Sequence, residues 1–479
     1  MTKPNVTLTL LHTNDIHSHF EETSRIASYV AHARSAIDPD KLILVDCGDF
    51  LDRARMETEG TQAAVNRAAL ERIGYDAVAL GNNEGLSYTP SELESILGGM
   101  TIPYVCANMK LLGTGRPPSW MTPSLTLVKK GVKIGLIGLT APFDEYYRLL
   151  GWEVDDPIEA LKTEAERLRP EVDVLILLSH LGLRQDERIA AVVEGIDLIL
   201  GGHTHHLLET PLIVGSTAIC AAGKFGAYIG RLELELGEGN KLLKVTGGCL
   251  ATDAFPASPG MDKLISDYGE RAKLKMQRRI ATLSESMASR HDAESSLPTL
   301  LACAIRRLTG AEIGLVNAGQ LLEDLPAGEV TEKTIHAICP SPINPCAILL
   351  RGDLILRSLE ESLLPEFQNK EIKGFGFRGR VLGMLCADGL EATADLKRDP
   401  YRRIQEVRVN GEILDVEREY VVGTLDMFTF GVGYLELKEG RDIRYFLPEF
   451  IRDVLSEALN DPRLVEASKS PRWHFIDEL

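Results

Sequence analysis

The first half of the chain alternates short, uninterrupted apolar runs with stretches whose apolar residues recur at helical spacing. Val6–Leu11, Leu42–Val45, Ala77–Leu80, Ile134–Leu139, Val174–Leu178 and Leu198–Leu200 have the length and composition of buried strands. Amphipathic segments, Thr61–Ile73, Pro157–Arg169 and Glu187–Val193, lie between several of them. Strands alternating with helices predict an α/β fold whose strands are mostly covered on both faces. Tyr228–Leu250 differs. Its Leu-Glu-Leu-Glu alternation predicts an antiparallel pair with one wet face.

Pro256–Gly260 is turn-like, and the charged stretch Met261–Ile280 that follows fits a helix, with Lys273, Lys275, Arg278 and Arg279 crowding its end. It reads either as a bridge between two domains or as a surface helix of one of them. The second half opens with helical Leu297–Leu308 and continues with strand-like Ile313–Val316, Ala347–Leu350, Val407–Val409 and Tyr420–Thr424. A chain of 479 residues is long enough for two or three domains. The pattern divides it into a first domain over 1–255, a linker or bridging helix over 256–280, and a second domain over 281–479.

Charge narrows the partners. The net charge of −18 repels nucleic-acid backbones and anionic membrane surfaces. It also repels small anionic substrates unless a local positive centre, such as a bound metal ion, overrides it. No run approaches the roughly 20 apolar residues of a membrane span. Met1–Leu11 has one lysine and no apolar core of leader length, and the eight cysteines are scattered without a CxxC pair. Reduced thiols in a cytoplasmic protein are the simplest expectation. Phe475–Leu479 bears a faint likeness to a retention signal, which without a leader has nothing to act on.

Polar residues cluster where the apolar runs stop. The first run leads into His12-Thr13-Asn14-Asp15-Ile16-His17, the second into Asp46-Cys47-Gly48-Asp49, and the third into Gly81-Asn82-Asn83-Glu84. Later runs end in Ser179-His180 and in Gly201-Gly202-His203-Thr204-His205-His206. In open α/β sheets, ligands sit outside the carboxyl ends of the strands. Five such ends deliver Asp, Asn or His, the donors that suit borderline and hard divalent ions. No candidate ligand is a cysteine, so a structural zinc knuckle does not fit. A mixed shell that leaves room for water and phosphate is what a two-metal hydrolytic site requires.

These motifs, Asp-x-His, Gly-Asp, Gly-Asn-x-Glu, Ser-His and Gly-His-x-His, resemble those of the calcineurin-like metallophosphatases. Over nearly its full length the chain is similar to the bacterial 5′-nucleotidase and nucleotide-sugar hydrolase group. In the second half, Asn317-Ala318-Gly319 and Leu325–Thr331 resemble that group's Asn-x-Gly turn and its continuation. The resemblance implies an N-terminal sandwich of two sheets flanked by helices, and a smaller C-terminal α/β domain that binds the nucleoside part of the substrate. It implies two divalent ions, Mn²⁺ or Zn²⁺. One would be held by Asp15, His17, Asp49 and His205, the other by Asp49, Asn82, His180 and His203, with Asp49 bridging. A metal-bound hydroxide would then attack phosphorus.

The chain departs from this group at the reacting end. The group has His after its metal-binding Asn, with Asp three residues on; here Asn83 and Leu86 stand there. Asparagine donates a hydrogen bond to a phosphoryl oxygen but gives no proton to a poor leaving group. In the second half, Leu322 replaces an Arg, and Pro340-Ser341-Pro342-Ile343-Asn344 replaces a Pro-Phe-Gly-Asn whose Phe stacks on a base. Asn317, Gly319, Asn344, Arg378, Phe428 and Phe430 are the candidate substrate-binding residues. Phe428 and Phe430 each read equally well as stacking or as core residues, and Arg378 and Arg380 as replacement cations or as solvated surface groups.

The function expected is metal-dependent hydrolysis of phosphate esters or anhydrides of nucleotides, shifted toward nucleoside diphosphates or nucleotide sugars. Two alternatives stay open: a phosphodiesterase or phosphatase of a non-nucleotide metabolite, and a metal-binding sensing protein with weak catalysis.

Overall fold

The computed structural model describes residues 6–476. The first five positions of Met1–Leu11 and the last three of Phe475–Leu479 lie outside the described residues. The chain forms two compact units, residues 1–272 and 273–479.

The first unit is built on two sheets. One has seven strands in the order Leu242–Ala251, Tyr228–Leu236, Val6–Thr13, Leu42–Asp46, Ala77–Ala79, Tyr104–Val105 and Met121–Thr122. The other has six: Leu212–Val214, Thr217–Cys220, Leu198–Gly201, Val174–His180, Val132–Thr140 and Ser124–Lys129. The apolar runs of the sequence supply the central strands, which pair in parallel. Tyr228–Leu236 and Leu242–Ala251 form the antiparallel pair, and the former also runs antiparallel to Val6–Thr13.

Side chains alternate along a strand, so each strand has two faces to cover. Leu8, Leu10, Ile43 and Val45 of the first sheet meet Ile134, Leu136, Ile176, Leu178 and Leu200 of the second in one dry core. The other face of the second sheet, with Leu175, Leu177 and Ile199, packs on Leu161, Ala165 and Leu168 of helix Pro157–Leu168 and on Ile189 of helix Leu183–Val192. Helices Phe20–Ala36 and Ala64–Ile73 bury Ile26, Tyr29, Val65 and Leu70, and Arg231 of the first sheet donates to the Tyr29 hydroxyl. Burying a Leu or Ile side chain contributes about 1.5–3 kcal/mol, so the doubly covered strands are the rigid part of the unit.

The stretch Met261–Ile280 is not one helix. The helix spans Pro259–Lys275, and Arg279–Leu283 is a strand paired antiparallel with Gly328–Thr331. Ile280 and Ala281 pack against the second unit's core, and the two-residue period of a strand displaces the helical one.

The second unit has a five-stranded sheet in the order Leu385–Asp388, Ile313–Asn317, Glu419–Leu425, Pro345–Arg351 and Arg441–Tyr445. A four-stranded sheet contains Glu412–Ile413, Ile404–Val409, Leu390–Ala394 and Trp473–Phe475. Helix Ser296–Thr309 buries Leu297, Leu300, Leu301 and Ile305 in a core that belongs to this unit alone. Among the described residues, no helix is long and apolar enough to cross a membrane. All eight cysteines are free thiols, and seven are buried.

Candidate metal centre

The five polar strand ends converge in the first unit. Asp15 and His17 leave strand Val6–Thr13, Asp49 follows Leu42–Asp46, and Asn82 opens the helix after Ala77–Ala79. His180 is the last residue of Val174–His180, and His203 and His205 follow Leu198–Gly201. To bring these side chains into one crevice the loops turn back sharply. Asp15, His17, Asp49, His203 and His205 all have positive φ, between 49° and 73°. Non-glycine residues are rarely held in this region, and where they are, the strain marks a site that the surrounding structure over-determines.

Two glycines permit the approach. Gly48 has φ of 96°, and a Cβ on it would lie 2.6 Å from the backbone nitrogen of Gly81. A Cβ on Gly81 would lie 2.2 Å from the Asp49 backbone nitrogen. The second and third strand ends therefore touch backbone to backbone. Glu84 fastens them: its buried carboxylate accepts from the backbone N–H groups of Asp49 at 3.2 Å, Leu51 at 3.0 Å and Gly81 at 3.0 Å. Burial, then the Asp49 carboxylate, pushes Glu84 up to about 7.

The donor atoms form two overlapping groups. In each, the ligand atoms lie within 4.8 Å of one another: Asp15, His17 and His205 in one, Asp15, Asp49 and His180 in the other. Nε2 of His17 is 3.2 Å from Nε2 of His205 and 3.8 Å from an oxygen of each of Asp15 and Asp49. Oδ2 of Asp49 is also 3.2 Å from His180 Nε2, so this oxygen reaches toward a histidine of each group. Asn82 Oδ1 lies 3.2 Å from His180 Nε2 and 2.7 Å from His203 Nδ1. All seven side chains that the resemblance implies as ligands are thus brought together.

The outer atoms fix the inner ones. His180 Nδ1 faces the Cys47 carbonyl at 2.8 Å, which leaves Nε2 for the crevice. Asn14 Nδ2 donates to Asp15 Oδ2 at 2.8 Å and to the Gly223 carbonyl at 2.7 Å. The His203 backbone N–H also donates to the Asp15 carboxylate.

This donor set calls for positive charge. Burial alone would lower His180, yet the Asp49 and Asp15 carboxylates hold it up at about 10. Burial opposes ionisation of Asp49, but His180 and His17 hold it well below the ordinary carboxylate range. His203 and His205 are pushed down by burial to about 4 and about 3, and so offer neutral nitrogens at pH 7. Two buried carboxylates, neutral imidazoles and an amide oxygen converging on one crevice fit divalent cations, whose charge would replace that of the protons.

Asn83 occupies the edge of this cluster. Its backbone N–H donates to Asp49 Oδ1 at 2.7 Å, and Nδ2 lies 2.9 Å from His17 Nδ1 and 3.4 Å from the Leu51 carbonyl. Leu86 is half-buried one turn further on in helix Asn82–Ser87. Beside His203, the Phe143 ring stands at 6.0 Å in edge-on contact.

The substrate candidates of the second unit fare differently. Phe428 is fully buried against Tyr434, so of its two readings the structure selects the core one and corrects its candidacy as a stacking residue. Phe430 is 38% exposed and stacks on the exposed Phe375 with ring centroids 6.0 Å apart. Asn317 is buried, with Nδ2 donating to the Leu382 carbonyl at 2.6 Å and Oδ1 accepting from Gln320. Gly319 lies so close to the Val381 carbonyl that a Cβ would be 1.8 Å from it. Asn344 Nδ2 donates to the Glu449 carbonyl at 2.8 Å. These three hold loops together. Arg378 is half-buried, its backbone N–H donating to Ser341 Oγ.

Comparison with known proteins agrees with both units. Residues 8–207 match the calcineurin-like phosphoesterase family, and residues 279–436 match the C-terminal domain of 5′-nucleotidases. The chain belongs to the calcineurin-like metallophosphoesterases that carry a 5′-nucleotidase C-terminal domain. It is 33% identical over 463 residues to the uncharacterised metallophosphoesterase YunD of Bacillus subtilis (strain 168), covering 94% of this chain and 98% of that one. It is 25% identical to the 5′-nucleotidase of Bos taurus over 84% of this chain and 78% of the other. The crystal structure of a 5′-nucleotidase precursor from Thermus thermophilus shares the fold with a TM-score of 0.62 at 24% identity, over 99% of this chain and 100% of that one.

Proposed function

We propose that the chain is a metal-dependent hydrolase of nucleotide phosphate esters and anhydrides that favours anhydrides, with Asp15, His17, Asp49 and His205 holding one divalent ion and Asp49, Asn82, His180 and His203 a second. The observation that carries the reading is the convergence of these seven side chains, five of them on strained backbone, beside an asparagine where the resemblance implies a histidine. Two Mn²⁺ or Zn²⁺ ions held there would supply Lewis-acid stabilisation of charge on phosphoryl oxygens and acidify a water molecule. The chain's own groups do the rest. The carboxylates and imidazoles fix the ion positions, and the helix opened by Asn82 places the Asn83 amide beside His17 at the edge of the crevice.

An amide lacks the labile proton that a simple alkoxide leaving group requires. A phosphate or nucleoside monophosphate leaves as a stabilised anion and needs no such help. Nucleoside diphosphates and nucleotide sugars are therefore the favoured substrates, and the bovine relative's name, 5′-nucleotidase, supports the nucleotide class. The exposed Phe375–Phe430 pair is a surface on which a base can stack. A second reading, a phosphatase of a non-nucleotide metabolite, draws support from Asn317 and Asn344, whose amides are committed to the protein's own carbonyls.

The test is hydrolysis of a mixed panel with Mn²⁺ present: nucleoside mono-, di- and triphosphates, nucleotide sugars and bis(p-nitrophenyl) phosphate. Asp49→Ala is expected to abolish every activity. Turnover of adenosine monophosphate well above that of all anhydrides would refute the anhydride preference. A silent panel with metal bound would favour the non-nucleotide reading.

A further inference from the structure

Behind His17 lies a buried polar group that the metal ligands themselves do not explain. Asp52, 4% exposed, sits in the loop after strand Leu42–Asp46. Its Oδ1 accepts from the Ala54 backbone N–H at 2.8 Å, and its own backbone N–H donates to Ser18 Oγ at 2.8 Å. Ser18 Oγ is in turn 2.9 Å from Thr58 Oγ1 and 2.8 Å from Asn66 Nδ2, all of them buried. This network fixes the carboxylate so that Oδ2 faces His17 Nδ1 at 3.5 Å.

A neutral imidazole that gives one nitrogen lone pair to a cation carries its hydrogen on the other nitrogen. Nε2 of His17 faces the cluster, so Nδ1 must carry the hydrogen. Two side chains approach Nδ1. The Asn83 amide, at 2.9 Å, accepts that hydrogen only when it turns its oxygen toward the ring, whereas the Asp52 carboxylate, held by its network, accepts as it stands.

We propose that Asp52 is the positioning residue for His17, holding the hydrogen on Nδ1 and thereby aiming the Nε2 lone pair at the cation. The role rests on the metal reading above. It is separate from the dyad that Asn83 and Leu86 displace, because Asp52 serves a ligand and not a leaving group.

Asp52→Asn isolates the contact. The new carbonyl keeps the turn to Ala54, while the amide nitrogen meets Nδ1–H donor to donor. The full chain, stripped of metal, is titrated with Mn²⁺ by calorimetry and by the electron paramagnetic resonance of bound Mn²⁺. Wild type is expected to take two ions. In Asp52→Asn one ion is expected to bind about 10–100-fold more weakly, the scale for loss of such an outer partner, with the other unchanged. Thr58→Val loosens the same network one step back and is expected to weaken the same ion, by less than Asp52→Asn does. Equal weakening of both ions in Asp52→Asn, or of neither, overturns the role of Asp52 alone. A wild type that takes up no ion overturns the metal reading and this role with it.

Discussion

In the proposed reaction, the difference between an amide and an imidazole at position 83 would decide which leaving groups the site can serve. General-acid help to a poor leaving group contributes about 10²–10⁴-fold in rate, and the Asn83 amide supplies none of it. Leu86 lies three residues further along the same helix, on the face of residue 83, where a carboxylate would orient an imidazole. The double variant Asn83→His with Leu86→Asp is therefore expected to raise the rate on adenosine monophosphate relative to adenosine diphosphate by about tenfold or more. Asn83→His alone is expected to raise it less, since the imidazole then lacks its orienting partner. Rate ratios on the two substrates at saturating Mn²⁺ measure this. An unchanged ratio in the double variant would mean that leaving-group protonation does not limit the reaction.

At the scale of elements, the centre is a junction of strand ends, and its geometry depends on how closely two backbones approach. Gly48 combines positive φ with a Cβ position 2.6 Å from the Gly81 nitrogen. Gly48→Ala must push the second and third strand ends apart or unfold them. The cost of such overpacking is about 1–3 kcal/mol, and because Asp49 is the next residue, both ions are expected to bind more weakly. A melting curve and a metal titration read the two effects. Retention of both at wild-type values would show that the loops have slack the structure does not display. The strand ends are legible in the sequence because buried parallel strands are continuous apolar runs, as Leu42–Val45 and Val174–Leu178 are. Strands Tyr104–Val105 and Met121–Thr122 are two residues each, too short to carry a period. The bridging helix is too long as predicted from sequence because Arg278 and Arg279 continue its charge pattern, while the pairing that makes Arg279–Leu283 a strand comes from Gly328–Thr331, far along the chain. The seven ligand candidates are visible as polar residues after apolar runs. Glu84 has half of a local signal: its carboxylate accepts from the N–H of Gly81 three residues before it, but glycine has no side chain to complete a capping box. Asp52 has none, because a single acid in a loop acquires its meaning only from Ser18, Thr58 and Asn66, whose proximity is tertiary.

For the whole molecule, the division of labour has a thermodynamic signature. Each unit has its own core, that of the second formed wholly from residues 280 onward, whereas every ligand candidate lies in the first. A cation that binds only the folded first unit stabilises it by RT ln(1 + [L]/Kd), about 2.7 kcal/mol per ion at a hundredfold excess over Kd. At about 2–4 °C per kcal/mol for a domain of this size, one ion raises the first unit's transition by about 5–10 °C. Part of that binding energy comes from the buried Asp15 and Asp49 carboxylates, which repel each other until a cation or proton joins them. Calorimetry with and without a chelator is expected to resolve two transitions, one that falls on removal of metal and one that does not move. Proteolytic fragments taken at the temperature between them would assign the surviving unit as residues 273–479. A single transition that shifts as a whole would mean that the units melt together and that metal binding in the first also stabilises the second.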